Sequence, residues 1–198
     1  MLFSDIDLNK NYSYADYYSW HFEERVELIN GKVYKMSPAP SSYHQDIVLD
    51  IATSLKNHLH GKKCKVYVAP FDVRLPKKGV EDKSIFTVLQ PDVCVICDLE
   101  KIDKRGCIGA PDIVVEVLSP GNNNKELKNK YEAYEVAGVQ EYWIVSPQIQ
   151  SVTLYVLTDG KFQSSRMLST SDIVTSSVLP GFSLDLSELF QGLDGEEE

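Results

Sequence analysis

Asp112 to Leu118 reads Asp-Ile-Val-Val-Glu-Val-Leu, and no other stretch restricts the fold as strongly. Ile113, Val114, Val115 and Val117 place β-branched apolar side chains on both faces of the run. Such a run is a strand from the middle of a sheet that is covered on both sides. Glu116 lies inside it, and an ionised carboxylate is seldom buried without a positive partner. Ser119-Pro120-Gly121 stops the strand, and a helix follows with the apolar stripe Leu127, Tyr131, Tyr134. At about 100° per residue, Lys130 falls between Tyr134 and Ala137, on the inward side. A buried acid is therefore followed on the next helix by an inward-facing lysine.

The flanking sequence supplies the layers such a strand needs. Ser13 opens a short helix from Tyr14 to about Trp20, with Asp16 as its capping partner. Val26–Ile29, Asn30-Gly31 and Lys32–Met36 read as a hairpin, because Asn-Gly tolerates the positive φ of a type I′ turn. Pro38 and Pro40 end it. Ser42-x-x-Gln45 reads as a second capping box, opening a helix that Gly61 terminates near His60. Its apolar face is Ile47, Val48, Ile51, Leu55 and Leu59. Strands are predicted at Cys64–Leu75 and Gln90–Cys97, then at 112–118 and at Val139–Val145. Ser151–Leu157 and Phe162–Leu168 flank an Asp159-Gly160 turn, and Ser183–Phe190 closes the pattern. The order helix–three strands–helix–strand, with hairpins at both ends, gives an α/β fold: a mixed sheet flanked by helices. It is read as one domain over 1–198, with an ordered core at 12–190 and an acidic tail at 191–198.

Composition removes several function classes. The 198 residues are 43% apolar, with no 18-residue apolar run, so no membrane span is expected. The N-terminus has no basic region followed by an apolar core, which argues against a secretory signal and for the cytoplasm. In that setting Cys64, Cys94, Cys97 and Cys107 read as reduced thiols. Cys94 and Cys97 lie three apart in a strand and point to opposite faces, so they read as core thiols, not half a zinc site. The net charge of −9 argues against non-specific coating of nucleic acid.

Pro91-Asp92 and Pro111-Asp112 each open a strand, and either aspartate is a candidate to share a metal with Glu116. Ligands to one Mg²⁺ must each bring an oxygen within about 2.0–2.1 Å. Asp112 lies four residues from Glu116 on one strand, about 13 Å away at ~3.3 Å per residue, which is too far. Asp92 belongs to another strand, and neighbouring strands lie only ~4.8 Å apart. Asp92, Glu116 and Lys130 are the groups metal-assisted phosphodiester hydrolysis requires: two hard acids for the cation, and an ammonium beside the reaction. The plainer alternative is an ion pair of Glu116 with Lys130 and a turn-capping Asp92. Spacing alone leans to that alternative, since inward lysines often snorkel.

The runs QPDVCV, GAPDIVVEVLSPG and YEAYEVAGVQEYWIV, preceded by VELINGKVYKMSPAPSSYHQ, resemble the Uma-two family of endonucleases in the PD-(D/E)XK superfamily. The likeness extends from about Tyr14 to Phe190. It implies a restriction-endonuclease-like core, dependence on Mg²⁺ (with Mn²⁺ able to substitute), cleavage of DNA, and a homodimer. Asp92 matches the superfamily aspartate, Glu116 its second acid, and Val117 the residue whose carbonyl also binds metal. The lysine expected at 118 is Leu118, and in the family pattern it has moved to the following helix, where Lys130 stands. The independent inward placement of Lys130 then favours catalysis over the ion pair. Glu27 matches the acid of the family hairpin, with a role in completing the metal site, and its alternative is an exposed hairpin residue. His44 matches the histidine that opens the family's helix, and its alternative is a local hydrogen-bonding role. Tyr134 reads as core. Where the family carries a basic stretch, this chain has Gly121-Asn122-Asn123-Asn124, so DNA binding is expected to be weak and salt-dependent. A non-catalytic scaffold that keeps the fold is the rival class. Hydrolysis of RNA or a small nucleotide is a third.

Overall fold

The computed structural model describes residues 2–36, 41–120 and 124–192. In chain order the elements are α1 (Tyr14–Ser19), β1 (Val26–Ile29), β2 (Lys32–Lys35), α2 (Ser42–His58), β3 (Lys65–Val68), β4 (Val73–Arg74), β5 (Val88–Leu89), β6 (Val93–Ile96), β7 (Ile102–Asp103) and β8 (Gly106–Ile108). They continue with β9 (Ile113–Val117), α3 (Asn124–Ala137), β10 (Glu141–Ser146), β11 (Ser151–Thr158), β12 (Lys161–Ser164), β13 (Ile173–Thr175), β14 (Ser183–Asp185) and α4 (Leu186–Leu189).

All five residues of β9 are buried. It lies inside a six-stranded sheet ordered β12–β11–β10–β9–β6–β3, parallel to β10 and antiparallel to β6. On one face, Ile47, Ile51 and Leu55 of α2 pack with Val93, Val95, Val115, Val117 and the α4 side chains Leu186 and Leu189. On the other, Tyr134 of α3 packs with Cys94, Ile96, Val114 and Tyr142. The apolar periods of the two helices thus close opposite faces of the strand, as burial on both sides demands.

The N-terminal hairpin is not a free addition to this sheet. It belongs to a second six-stranded sheet, β2–β1–β5–β4–β8–β7, whose Ile29, Val73, Leu75 and Leu89 join the core on the α3 side. Tyr14 of α1 covers the far face against Leu28, Ile85 and Val88. One predicted strand, 64–75, is divided between the sheets, and the predicted strand 90–97 holds β6 alone, with β5 just before it in the other sheet. The run 64–75 becomes β3 in one sheet and β4 in the other, with Pro70 between them; Pro91 lies between β5 and β6. Proline has no N–H for the ladder, so each marks a hand-over between sheets. Between the predicted strands 90–97 and 112–118, where no element is predicted, the chain forms the β7–β8 hairpin.

Smaller differences have local causes. The N-cap of α2 is Ser41, whose side chain accepts from the His44 N–H, one residue before the predicted Ser42. The strand predicted to Leu168 ends at Ser164, and Leu168 returns as an isolated bridge to Val152. Cys64 and Cys97 are not free thiols but form a disulfide. β3 pairs antiparallel with β6 as Lys65↔Ile96, so the next residues outward are these two cysteines, directly opposite each other. The cysteine reading missed this register; it holds for Cys94 and Cys107, which are free and buried. Pro38, Pro40, Gly121–Asn123 and the tail from 193 lie outside the described residues.

Candidate active site

The register of β6 and β9 positions the two acids. Val93 pairs with Val115, so one step beyond the ladder Asp92 stands across from Glu116. Directly opposite residues on antiparallel strands hold their Cβ atoms about 4.5–5.5 Å apart. The main chain fixes the pair further: the Val117 N–H donates to Asp92 Oδ2 at 2.8 Å. Asp112 is at the other end of β9. There Oδ2 accepts from the Cys97 N–H at 2.7 Å and Oδ1 from Gln140 Nε2 at 2.8 Å, so this aspartate ties down the strand's start.

Lys130 is 5% exposed, and its Nζ lies 3.2 and 3.1 Å from the two Glu116 oxygens and 3.1 Å from Glu27 Oε2. The ion pair of the plainer reading is therefore present, extended by a third member from the other sheet. Glu27 is 1% exposed, not the solvated hairpin residue of the alternative reading, because the second sheet covers the hairpin. Its other oxygen accepts from the Gln90 N–H at 2.8 Å, which fixes the chain two residues before Asp92.

Tyr134, four residues after Lys130 on the same helix face, does more than fill the core: its hydroxyl donates to Glu116 Oε1 at 2.8 Å. Its spacing from Lys130 was the available signal. Burial pushes the Glu116 carboxyl up to about 7; Lys130 opposes the shift, while Asp92 and Glu27 reinforce it. Burial alone would lower the Lys130 ammonium, but Glu116 and Glu27 hold it well above the ordinary lysine range.

His44, in the first turn of α2, reaches the acids from the opposite face of the sheet. Its Nε2 is 3.4 Å from Asp92 Oδ2. Burial lowers its basicity, and Asp92, the Val117 backbone and Glu116 together more than reverse this, so it sits above the ordinary histidine value. Its Nδ1 is buried and has no hydrogen-bond partner among the described residues. A cleft of about 160 Å³ opens beside Asp92, between His44, Gln45, Val68 and Arg25.

The donor set suits a hard divalent cation. Asp92 and Glu116 offer carboxylate oxygens from facing positions, and the Val117 carbonyl is the adjacent main-chain donor. Among the described residues no three His, Cys, Asp or Glu side chains converge as a ready-made cage. Two carboxylates and a main-chain carbonyl are donors that Mg²⁺ can use, since it takes one or two carboxylates and keeps several waters.

A family model described as “Putative restriction endonuclease”, Uma2, matches residues 14–187. The chain belongs to the Uma2 family. The chain is also 26% identical over 187 residues to an uncharacterized protein of Synechocystis sp., covering 90% of each. It shares its fold with a crystal structure from Anabaena variabilis ATCC 29413 described as “a putative nuclease belonging to DUF820”: TM-score 0.72, 17% identity, 91% of this chain and 98% of that one. This Uma2 chain therefore has a restriction-endonuclease-like α/β fold and falls among nucleases by family. No described helix is long and apolar enough to cross a membrane.

Proposed function

We propose that this Uma2 protein is a metal-dependent endonuclease that hydrolyses phosphodiester bonds of DNA. The observation that carries the reading is Asp92 facing Glu116 across neighbouring strands, with a buried ammonium between Glu116 and Glu27. Asp92, Glu116 and the Val117 carbonyl would hold Mg²⁺ or Mn²⁺. When bound, the cation supplies positive charge to a phosphate oxygen and acidifies water. The chain's own groups supply the rest. Lys130 faces the acids with a positive charge that offsets negative charge developing on the phosphate oxygens. Glu27 and Tyr134 hold that ammonium and the Glu116 carboxylate in place. His44 orients Asp92 from the α2 side. The rival scaffold reading does not require an acid pair that crowds two carboxylates beside a third. The proposal treats 1–198 as one nuclease domain. It keeps the homodimer and the cytoplasmic setting, and sedimentation of the full chain tests the dimer.

The experiment is Mn²⁺-dependent plasmid nicking, with calorimetric metal titration of the same preparations. Asp92→Asn and Glu116→Gln should abolish nicking and weaken metal binding. Asp112→Asn, at the far end of β9, should nick nearly as well as the parent. Loss of activity in Asp112→Asn with retention in Asp92→Asn would assign the metal to the wrong end of the strand.

A further inference from the structure

A second cleft shares Arg25 with the cleft beside Asp92. It holds about 420 Å³ and is lined by Tyr17, Tyr18, Trp20, Phe22, Arg25 and Gln90, with Glu23 and Glu24 also on its wall. Its volume falls in the ~300–1,000 Å³ range of small-ligand pockets. The wall is aromatic and already ordered: the Trp20 and Phe22 rings stack at 5.6 Å, and Tyr17 lies 6.0 Å from Trp20. Tyr18 is 58% exposed, with the Arg105 guanidinium over one face of its ring at 4.9 Å.

The cleft is joined to the acids by three contacts. Gln90 donates its backbone N–H to Glu27 Oε1 and its side-chain Nε2 to the Tyr17 hydroxyl, at 2.8 and 3.1 Å. Arg25 Nη2 donates to Gln90 Oε1 at 2.7 Å. Arg25 also lines the smaller cleft beside Asp92, so one guanidinium borders both spaces. Among the described residues it forms no ion pair, which leaves its charge for a ligand. Glu23 and Glu24 disfavour a phosphate inside the aromatic cleft, so the part of a nucleotide that fits there is the flat base. In a duplex the base faces are stacked on one another; an unpaired base presents its face, and aromatic side chains bind it.

We propose that the Tyr17–Tyr18–Trp20–Phe22 cleft is a base-stacking subsite that selects unpaired DNA, with the strand passing Arg25 to reach Asp92. The proposal rests on the endonuclease reading and names its substrate class. It also answers the net charge of −9, since stacking gives affinity that phosphate attraction cannot supply to an acidic protein.

The test uses the full chain without divalent metal, so that nothing is cut. A labelled single strand of about 12 nucleotides, within the site size of known single-strand binders, is compared with its duplex. The single strand should bind at least about tenfold tighter, and the excess should persist as salt is raised, because stacking releases no counterions. Binding should quench Trp20, while Trp143, buried in the core, provides a constant background. Tyr18→Ser alters an exposed ring and should keep the fold; it should reduce single-strand affinity by about fivefold or more and leave duplex affinity unchanged. Trp20→Phe should retain binding and abolish the quench. Equal affinity for strand and duplex, no Trp20 signal, or a silent Tyr18→Ser overturns the subsite. Plasmid nicking beside those negatives would show that the endonuclease reading survives without it. Selective strand binding with no Mn²⁺-dependent cutting of either the single strand or the plasmid would preserve the subsite and sink the endonuclease reading.

Discussion

Lys130→Met removes the one cation from a cluster whose three side chains are 6%, 1% and 9% exposed. At 3.1 Å and an effective dielectric near 20, each carboxylate contact is worth about 5 kcal/mol of gross attraction. Much of that offsets the desolvation of three ions, so the expected net loss on breaking the cluster is about 3–5 kcal/mol. The loss should depend on pH, with a definite sign. Glu116 is already raised from 4.5 to about 7, so the native state retains a proton that the unfolded state releases. A group of this kind lowers stability as pH rises through the window between its unfolded and folded values. In the parent the window closes near 7; without Lys130 it extends higher, at up to about 1.4 kcal/mol per pH unit. Urea melts near pH 6 and near pH 8 should therefore show a larger loss at the higher pH. The double variant Glu116→Gln/Lys130→Met should recover at least about 1 kcal/mol over the single one, because the orphaned charge has gone. A loss below about 1 kcal/mol, equal at both pH values, would show that Lys130 is solvated and that the cluster has no energetic meaning.

Alkali should unfold the protein steeply from about pH 10. Burial raises Tyr14, Tyr134 and Tyr142, and the acids raise Lys130, so all four retain protons that the unfolded chain releases. Each such group contributes up to about 1.4 kcal/mol per pH unit there, and Tyr142→Phe should remove one such share from the slope in urea melts. Mn²⁺ at about ten times its dissociation constant should raise stability by about 1.4 kcal/mol and lift the melting temperature, an increment lost in Asp92→Asn. Gly106 has φ +126°, and a Cβ there would lie 2.1 Å from the Asp72 carbonyl oxygen. Gly106→Ala should destabilise by more than about 2 kcal/mol, read by the same melts.

The acid pair was legible because a buried strand with one carboxylate is rare, and because strand spacing alone rules Asp112 out. The helix period placed Lys130 correctly. What sequence could not provide was the partner of the N-terminal hairpin. Val26–Ile29 reads the same whether its sheet ends at two strands or continues through β5, so Glu27 looked as free to be solvated as to be buried. The prolines at 70 and 91 were visible, but only the register shows that the chain changes sheets there. The Cys64–Cys97 bridge was hidden for the same reason, as it depends on which residue of β3 meets which of β6. His44 was marked only by the family resemblance, since a residue in a helix's first turn has local reasons to be polar.

The hand-over at Pro91 has a consequence for the life of the chain. Glu27 is borne by one sheet and Asp92 and Glu116 by the other, while Lys130 arrives still later, on the helix after β9. No contiguous fragment shorter than about half of the sequence, from Glu27 to Lys130, contains every group. A ribosome-bound or half-folded chain thus carries the acids without the geometry. Under the proposed endonuclease function, the chain stays inert until its two sheets have met, and local fraying at the seam would disarm it before the rest of the molecule came apart.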